Sequence, residues 1–237
     1  RVLCAGQAGL RCPLSFVSPL DPALASYLVH SRDAYGWKRS TLPIASWSED
    51  LFVSVNLSAY DLATKDIVSV VDETLGRYNL SPRRLHLEIT ESALVDDANS
   101  VRRILETFRS RGITIAIDDF GTGYSSLSYL DILPLNKVKI DRAFVANITE
   151  DGRKLKLLRG IVNLSRELGL SVVVEGVETD EQLKVILEND CADLIQGFIF
   201  GAPMPAASFV DLAGRMAGKR GTAVSKPVRK SASTARG

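Results

Sequence analysis

The sequence predicts an α/β fold of the (β/α)8 barrel type, and three observations predict it. Short aliphatic runs alternate with amphipathic helical stretches in six strand-then-helix units, a rhythm that requires parallel strands joined by right-handed crossovers. Every strand of the series, the two outer ones included, ends in a polar residue. An open doubly wound sheet alternates in the same way, but polar tips on all strands favour the barrel, whose strand ends meet in one mouth. The third observation is the central stretch Ile113-Thr-Ile-Ala-Ile-Asp118-Asp119-Phe-Gly-Thr-Gly-Tyr-Ser-Ser-Leu127. Ile113, Ile115 and Ile117 share one face with Thr114 and Ala116 on the other, so both faces can be buried. Neighbouring side chains of a regular strand point apart, so Asp118 and Asp119 can share a site only where the strand breaks into its loop; Gly121 and Gly123 permit that break.

In chain order, Leu51–Ser58 is a short apolar strand ending in Asn56, followed by a helix with Ile67, Val70, Val71 and Leu75 on one face that closes before Asn79 and Pro82. Leu85–Glu91 is the next strand. Its helix carries Val101, Ile104, Leu105 and Phe108 and stops at Gly112. After the central strand come a helix at Ser125–Tyr129, the strand Val138–Asp141, and a long helix with Leu155, Leu158, Ile161, Val162 and Leu168 that ends at Gly169. Strand Val172–Glu175 follows. Thr179 and Gln182 have capping-box spacing for a helix through Leu183, Ile186 and Leu187, and strand Leu194–Gln196 gives way to Gly197.

The 237 residues are 46% hydrophobic and 24% charged, with a net charge of +1, which fits one soluble globular domain with a sizeable core. A near-neutral chain offers no overall basic surface, so nucleic acid is not expected as a partner. Cys4, Cys12 and Cys191 are odd in number and carry no metal spacing; a reducing cytoplasm fits. No apolar run approaches the roughly 20 residues that span a bilayer, so any membrane tether is expected on a segment outside this chain. Residues 1–48 show no sustained period, residues 49–213 form the barrel body, and residues 214–237 read as a disordered basic tail rich in Lys and Arg without acids.

The chemistry gathers at the strand ends: Asn56, Glu88, Asp118 with Asp119, Lys139, Glu175 and Gln196. Carboxylates packed in one mouth repel each other and take up protons unless cations lie between them, and oxygen ligands suit Mg2+ or Mn2+. Two such ions about 4 Å apart support in-line attack of water on phosphorus. Asp118 and Asp119 are placed to serve both ions. Lys139, between outward Val138 and Ile140, points inward to orient the water or to stabilise charge on phosphorus; Glu175 ligates a metal or accepts a proton. Each residue also has a structural alternative. Thr90, Glu91 or Thr122 could be helix caps, Lys139 with Asp141 a plain ion pair, Gly121-Thr-Gly123 an ordinary turn, and His86 is read as a hydrogen-bonded structural histidine.

Val55-Asn56-Leu-Ser, Leu87-Glu88-Ile-Thr-Glu91, Asp118-Asp119-Phe-Gly-Thr-Gly-Tyr-Ser-Ser-Leu127, Val138-Lys139-Ile-Asp141, Val174-Glu175-Gly-Val-Glu178-Thr and Gln196-Gly-Phe, in this order, resemble the EAL-type cyclic-di-GMP phosphodiesterases over about residues 51–205. The resemblance implies a (β/α)8 TIM-type barrel lacking its first strand in this chain, and hydrolysis of cyclic di-GMP to linear pGpG with two Mg2+ or Mn2+ ions. It implies Asn56, Glu88, Asp118 and Asp119 as metal ligands, Lys139 as the residue that orients water, Glu175 as a further metal-site acid and Gln196 as part of the water or substrate network. Glu91 and Glu178 would hold the loop from Asp119 to Ser126, including Gly121, Thr122 and Gly123, which in such proteins couples the site to homodimerisation. An upstream sensor or GGDEF-type domain is the expected companion in the full protein.

The family's Glu-Ala-Leu signature would fall just ahead of Arg1, which would then be the substrate-binding arginine that follows it. In place of the family's next helix stands text bearing Pro, Ser and Arg, read as a frame-disturbed stretch near residues 18–48. The loss of the signature acid makes a second reading necessary: a catalytically inactive EAL-like module that binds cyclic dinucleotide or a signalling partner.

Overall fold

A computed structural model describes residues 17–19, 52–63, 66–94, 98–121 and 127–201. Apart from 17–19, the expectations for residues 1–48 and for the basic tail at 214–237 lie outside the described residues, as do Arg1, Thr122 and Gly123.

The described strands are β1 (Val17–Pro19), β2 (Val53–Leu57), β3 (Leu85–Thr90), β4 (Thr114–Phe120), β5 (Lys137–Ile140), β6 (Ser171–Val174) and β7 (Leu194–Gln196). They form one sheet in the order β1-β7-β6-β5-β4-β3-β2. Strands β2 to β7 pair in parallel and in sequential order. That unbroken order is the wall of a (β/α) barrel, because a doubly wound sheet reverses direction partway. β1 joins the far edge antiparallel to β7, with Val17 opposite Gln196; the sequence marks Leu14 to Val17 as a buried-looking run without a strand's period.

The helices are α1 (Ala59–Ala63), α2 (Ile67–Arg77), α3 (Ala98–Ser110), α4 (Leu127–Ile132), α5 (Gly152–Glu167) and α6 (Asp180–Glu188). Ile67, Val71 and Leu75 of α2, Val101, Leu105 and Phe108 of α3, Leu158 and Val162 of α5 and Ile186 of α6 are buried as the pattern predicts, whereas Leu168 and Leu187, assigned to the same faces, are exposed at the helix ends. Helix α5 starts earlier than its first apolar residue implied because Asp151 caps it, its carboxylate accepting from the N–H groups of Arg153 and Lys154 at 2.9 and 3.3 Å. At α6, Thr179 Oγ1 accepts from Gln182 N–H at 3.2 Å and Gln182 Oε1 accepts from Thr179 N–H at 3.1 Å, so the predicted capping box is formed.

The strands carry two opposite chemistries. Their outward residues, among them Val53, Val55, Leu85, Leu87, Ile115, Ile117, Val138, Ile140, Val172 and Val174, are at most 1% exposed beneath the helices, and each fully buried side chain of this kind contributes about 1.5–3 kcal/mol. Their inward residues are largely polar, including buried Ser54, His86, Glu88, Asp118 and Lys139. The helix–sheet layer therefore stabilises the fold while the barrel interior is left for chemistry.

One close approach fixes the last turn. A Cβ on Gly197 would lie 1.9 Å from the carbonyl oxygen of Val177 and 2.4 Å from its nitrogen, and the same backbone is joined by a 3.1 Å bond from Val177 N–H to Gln196 O. Gly197→Ala is expected to lower unfolding free energy by about 1–3 kcal/mol, measured by urea denaturation. Unchanged stability would show that the two segments are free to part.

Candidate active site

The mouth is built around Lys139. As the middle of an alternating strand, with Val138 and Ile140 turned out to the helices, its side chain enters the interior and is 4% exposed. Its ammonium lies 2.8 Å from Glu88 Oε2, 2.7 Å from Asp118 Oδ1 and 2.7 Å from Glu175 Oε1. The ammonium thus donates hydrogen bonds to Glu88 and Asp118 and pairs in charge with Glu175, three carboxylates from three other strand ends. Asp141 is not among them. Its Oδ1 accepts from Ala143 N–H at 2.8 Å and caps the turn Arg142–Phe144, which removes the reading of Lys139 and Asp141 as a local ion pair.

Asp119 reaches the same place by a backbone device. The β4–β5 register shifts between Ile117 and Phe120, and Asp119 has a φ of 52°, a left-handed conformation that Asp tolerates better than most residues. The strand therefore runs through both acids to Phe120 instead of ending before them. Carboxylate oxygens of Asp118, Asp119 and Glu175 come within 4.8 Å of one another. Glu91 holds the exit: its Oε1 accepts from Gly121 N–H at 3.0 Å. Gly121 has a φ of 95°, and a Cβ there would meet the Phe144 ring at 2.5 Å, so a side chain is excluded twice over.

Asn56 lies opposite Glu88 in the β2–β3 register. Gln196 ends β7 and lines the mouth with Asp119, Arg142, Glu175 and Phe198 around a cavity of about 380 Å3, within the usual range for small-molecule sites. Glu178 is exposed on the same rim, and its backbone N–H donates to Gln182 Oε1 at 2.8 Å.

Four acids, Glu88, Asp118, Asp119 and Glu175, face one ammonium, and burial with the excess negative charge shifts two of them. Burial, followed by the charges of Asp118 and Glu88, raises Glu175 from 4.5 to about 8 against the opposing pull of Lys139. Burial and the adjacent Asp118 also raise Asp119. Oxygen donors with unneutralised charge are the chemistry of a hard divalent cation, so the residues fit such a group.

Sequence reasoning missed what lies beneath the acids. Lys137 has the same parity as Lys139 and enters the interior, where burial lowers it to about 8; counting back two from Lys139 would have found it. His86 is buried and stacks on Phe52 with centroids 3.6 Å apart. Burial, then Lys137, holds its imidazole well below 6.5, in keeping with a structural role.

Comparison with known proteins bears on this geometry. The family model described as EAL domain matches residues 38–203, starting ahead of the matched motifs. The bifunctional diguanylate cyclase/cyclic di-GMP phosphodiesterase MucR of Pseudomonas aeruginosa is 44% identical over 162 residues, 68% of this chain and 23% of that protein. The cyclic di-GMP phosphodiesterase NbdA of the same organism is 41% identical over 160 residues, 68% of this chain and 20% of that protein. Among solved structures, the EAL domain of Mycobacterium smegmatis DcpA matches with a TM-score of 0.78 at 28% identity, covering 88% of this chain and 98% of that one. The MucR phosphodiesterase in complex with c-di-GMP matches with a TM-score of 0.67 at 39% identity, covering 74% and 71%. The chain spans between 20% and 32% of the length of these and similar curated relatives.

The raised Glu175 gives the cation-free protein a pH signature. Between pH 4.5 and about 8 the native state keeps a proton that the unfolded chain has released, so stability falls as pH rises through that window and the loss is complete above about 8. His86 acts in the opposite sense below 6.5, where only the unfolded imidazole is protonated and stability falls with falling pH. Lys137, lowered to about 8, raises stability as pH nears 8, so the carboxylate is read alone only just above 6.5. Unfolding free energy in chelator is expected to decline there by up to about 1.4 kcal/mol per pH unit, and Glu175→Gln to flatten the decline. A slope that survives the substitution would place the proton elsewhere.

Proposed function

The chain belongs to the EAL domain family, and from that premise we propose that its mouth hydrolyses cyclic di-GMP to linear pGpG with two Mg2+ or Mn2+ ions. The observation that carries the proposal is the Lys139 ammonium clasped by Glu88, Asp118 and Glu175, with Asp119 turned into the same space by its left-handed backbone. Asp118, Asp119, Glu88 and Asn56 would hold the ions, with Glu175 as a further ligand. Bound there, the ions would supply Lewis acidity toward a phosphate and make water more acidic.

The chain's own groups provide the rest. Lys139 keeps one positive charge fixed beside the acids, where it can orient the attacking water and meet charge developing on phosphorus. Glu175, 2.7 Å from the Lys139 ammonium, is placed in the same space either to serve as that further ligand or to accept the water's proton. Gln196 offers an amide to the same space. Glu91 anchors the exit of β4 through Gly121, so the position of Asp119 is tied to the end of β3.

The exposed Leu127 and Ile132 of α4, 56% and 47% accessible, support homodimerisation through the helix that follows Asp119. The greater length of the relatives, and the two activities in MucR's name, support an upstream sensor or GGDEF-type domain in the full protein. No described helix is long and apolar enough to cross a membrane.

Turnover of cyclic di-GMP with Mg2+ or Mn2+, followed by chromatography of the linear product, tests the reading. Asp118→Asn and Lys139→Met are each expected to lower the rate by about 10²-fold or more. Equal rates for the chain and Asp118→Asn would overturn the site, and specific dinucleotide binding without turnover would assign the chain to the non-catalytic reading.

A further inference from the structure

Beneath the acids the interior narrows to a pocket with about 20 Å3 of water-sized space. It is lined by the stacked pair Phe52 and His86 together with Ser54, Glu88, Lys137 and Gln196. Ser54 is fully buried, and among the described residues its Oγ has no hydrogen-bond partner; Gln196 Oε1 is likewise enclosed without one. The Lys137 ammonium has an aromatic contact, 4.9 Å from the Phe52 centroid, and no carboxylate within ion-pair distance among the described residues. Enclosed polar groups of native proteins are satisfied by protein or by ordered water.

Size and chemistry select the occupant. A space of this volume holds about one water and nothing larger. A halide accepts hydrogen bonds but cannot donate to Gln196 Oε1, and Glu88 would repel it. A cation would be repelled by Lys137. Water can accept from Lys137 and from Ser54 while donating to Gln196 and toward Glu88. We infer that this cavity binds a single water held by Ser54, Lys137 and Gln196, and that the water positions the Gln196 carboxamide. Gln196 lines both this cavity and the open mouth, so anchoring its oxygen in the cavity turns its NH2 group toward the acids. Ser54 and Lys137 are then positioning residues, and the inference stands whether or not the mouth performs the proposed reaction.

A crystal structure of the full chain at a resolution that defines ordered solvent, with a second crystal grown in bromide, tests it. One solvent peak is expected within hydrogen-bond distance of Ser54 Oγ, Lys137 Nζ and Gln196 Oε1, with no anomalous bromide signal. A clean void, or a bromide peak, would overturn the inference. In solution, cross-relaxation from a long-lived water to the Gln196 side-chain amide protons is expected in the parent chain. It should be lost in Ser54→Val, which fills the cavity with a methyl group. Persistence of that signal in folded Ser54→Val would also overturn it, and if the variant fails to fold, the parent chain's density decides.

Discussion

The contact of one ammonium with three carboxylates from three different strands is the interaction on which the rest of the structure depends. Desolvating such ions costs several kcal/mol each, and mutual attraction offsets this only when the geometry is close. The distances of 2.7 to 2.8 Å from Lys139 to Glu88, Asp118 and Glu175 require four strand tips at compatible heights. The pairing supplies them by stagger. Glu88 is opposite Ala116 and Thr90 opposite Asp118, while Lys139 is opposite Val173, two residues before Glu175. Each later acid thus stands further along its own strand, as the tilt of a barrel wall demands. A shift of one residue in any pairing would turn an acid out among the helices and a valine or isoleucine in.

That requirement explains why so much was legible in the sequence. Strict alternation in Val138-Lys139-Ile140 fixed the direction of Lys139, because apolar neighbours on both sides leave a strand lysine only the interior. The capping box at Thr179 and Gln182 and the apolar faces of α2, α3 and α5 were readable for the same reason: each is a local pattern with a local cause. What escaped was set by contacts distant in sequence. The position of Asp119 depends on a register slip against β5, and nothing in Ile117-Asp118-Asp119-Phe120 alone places the slip within the strand. The link from Glu91 to Gly121 spans thirty residues, so Glu91 looked equally suited to capping a helix. β1 pairs antiparallel with β7 through three residues in a stretch with no period of its own. Lys137 was a different omission, since its parity with Lys139 was available and unused.

The acids and their single ammonium also bind stability to ligation. Four carboxylates around one positive charge leave the mouth short of cations, and burial together with that deficit raises the pKa of Glu175 and Asp119. Protons relieve it at low pH; a divalent ion would relieve it at higher pH, releasing those protons as it binds. A group that binds only the folded state stabilises that state by mass action, so the site is strained where it is empty of charge and relaxed where it is filled. Apolar residues of similar volume in place of Lys139 and its three partners would lift that strain, since buried ion clusters are commonly no more stable than well-packed hydrophobic substitutes. The cluster is therefore weak evidence for stability, and what it provides is a fixed arrangement of charge that holds four strand tips in register.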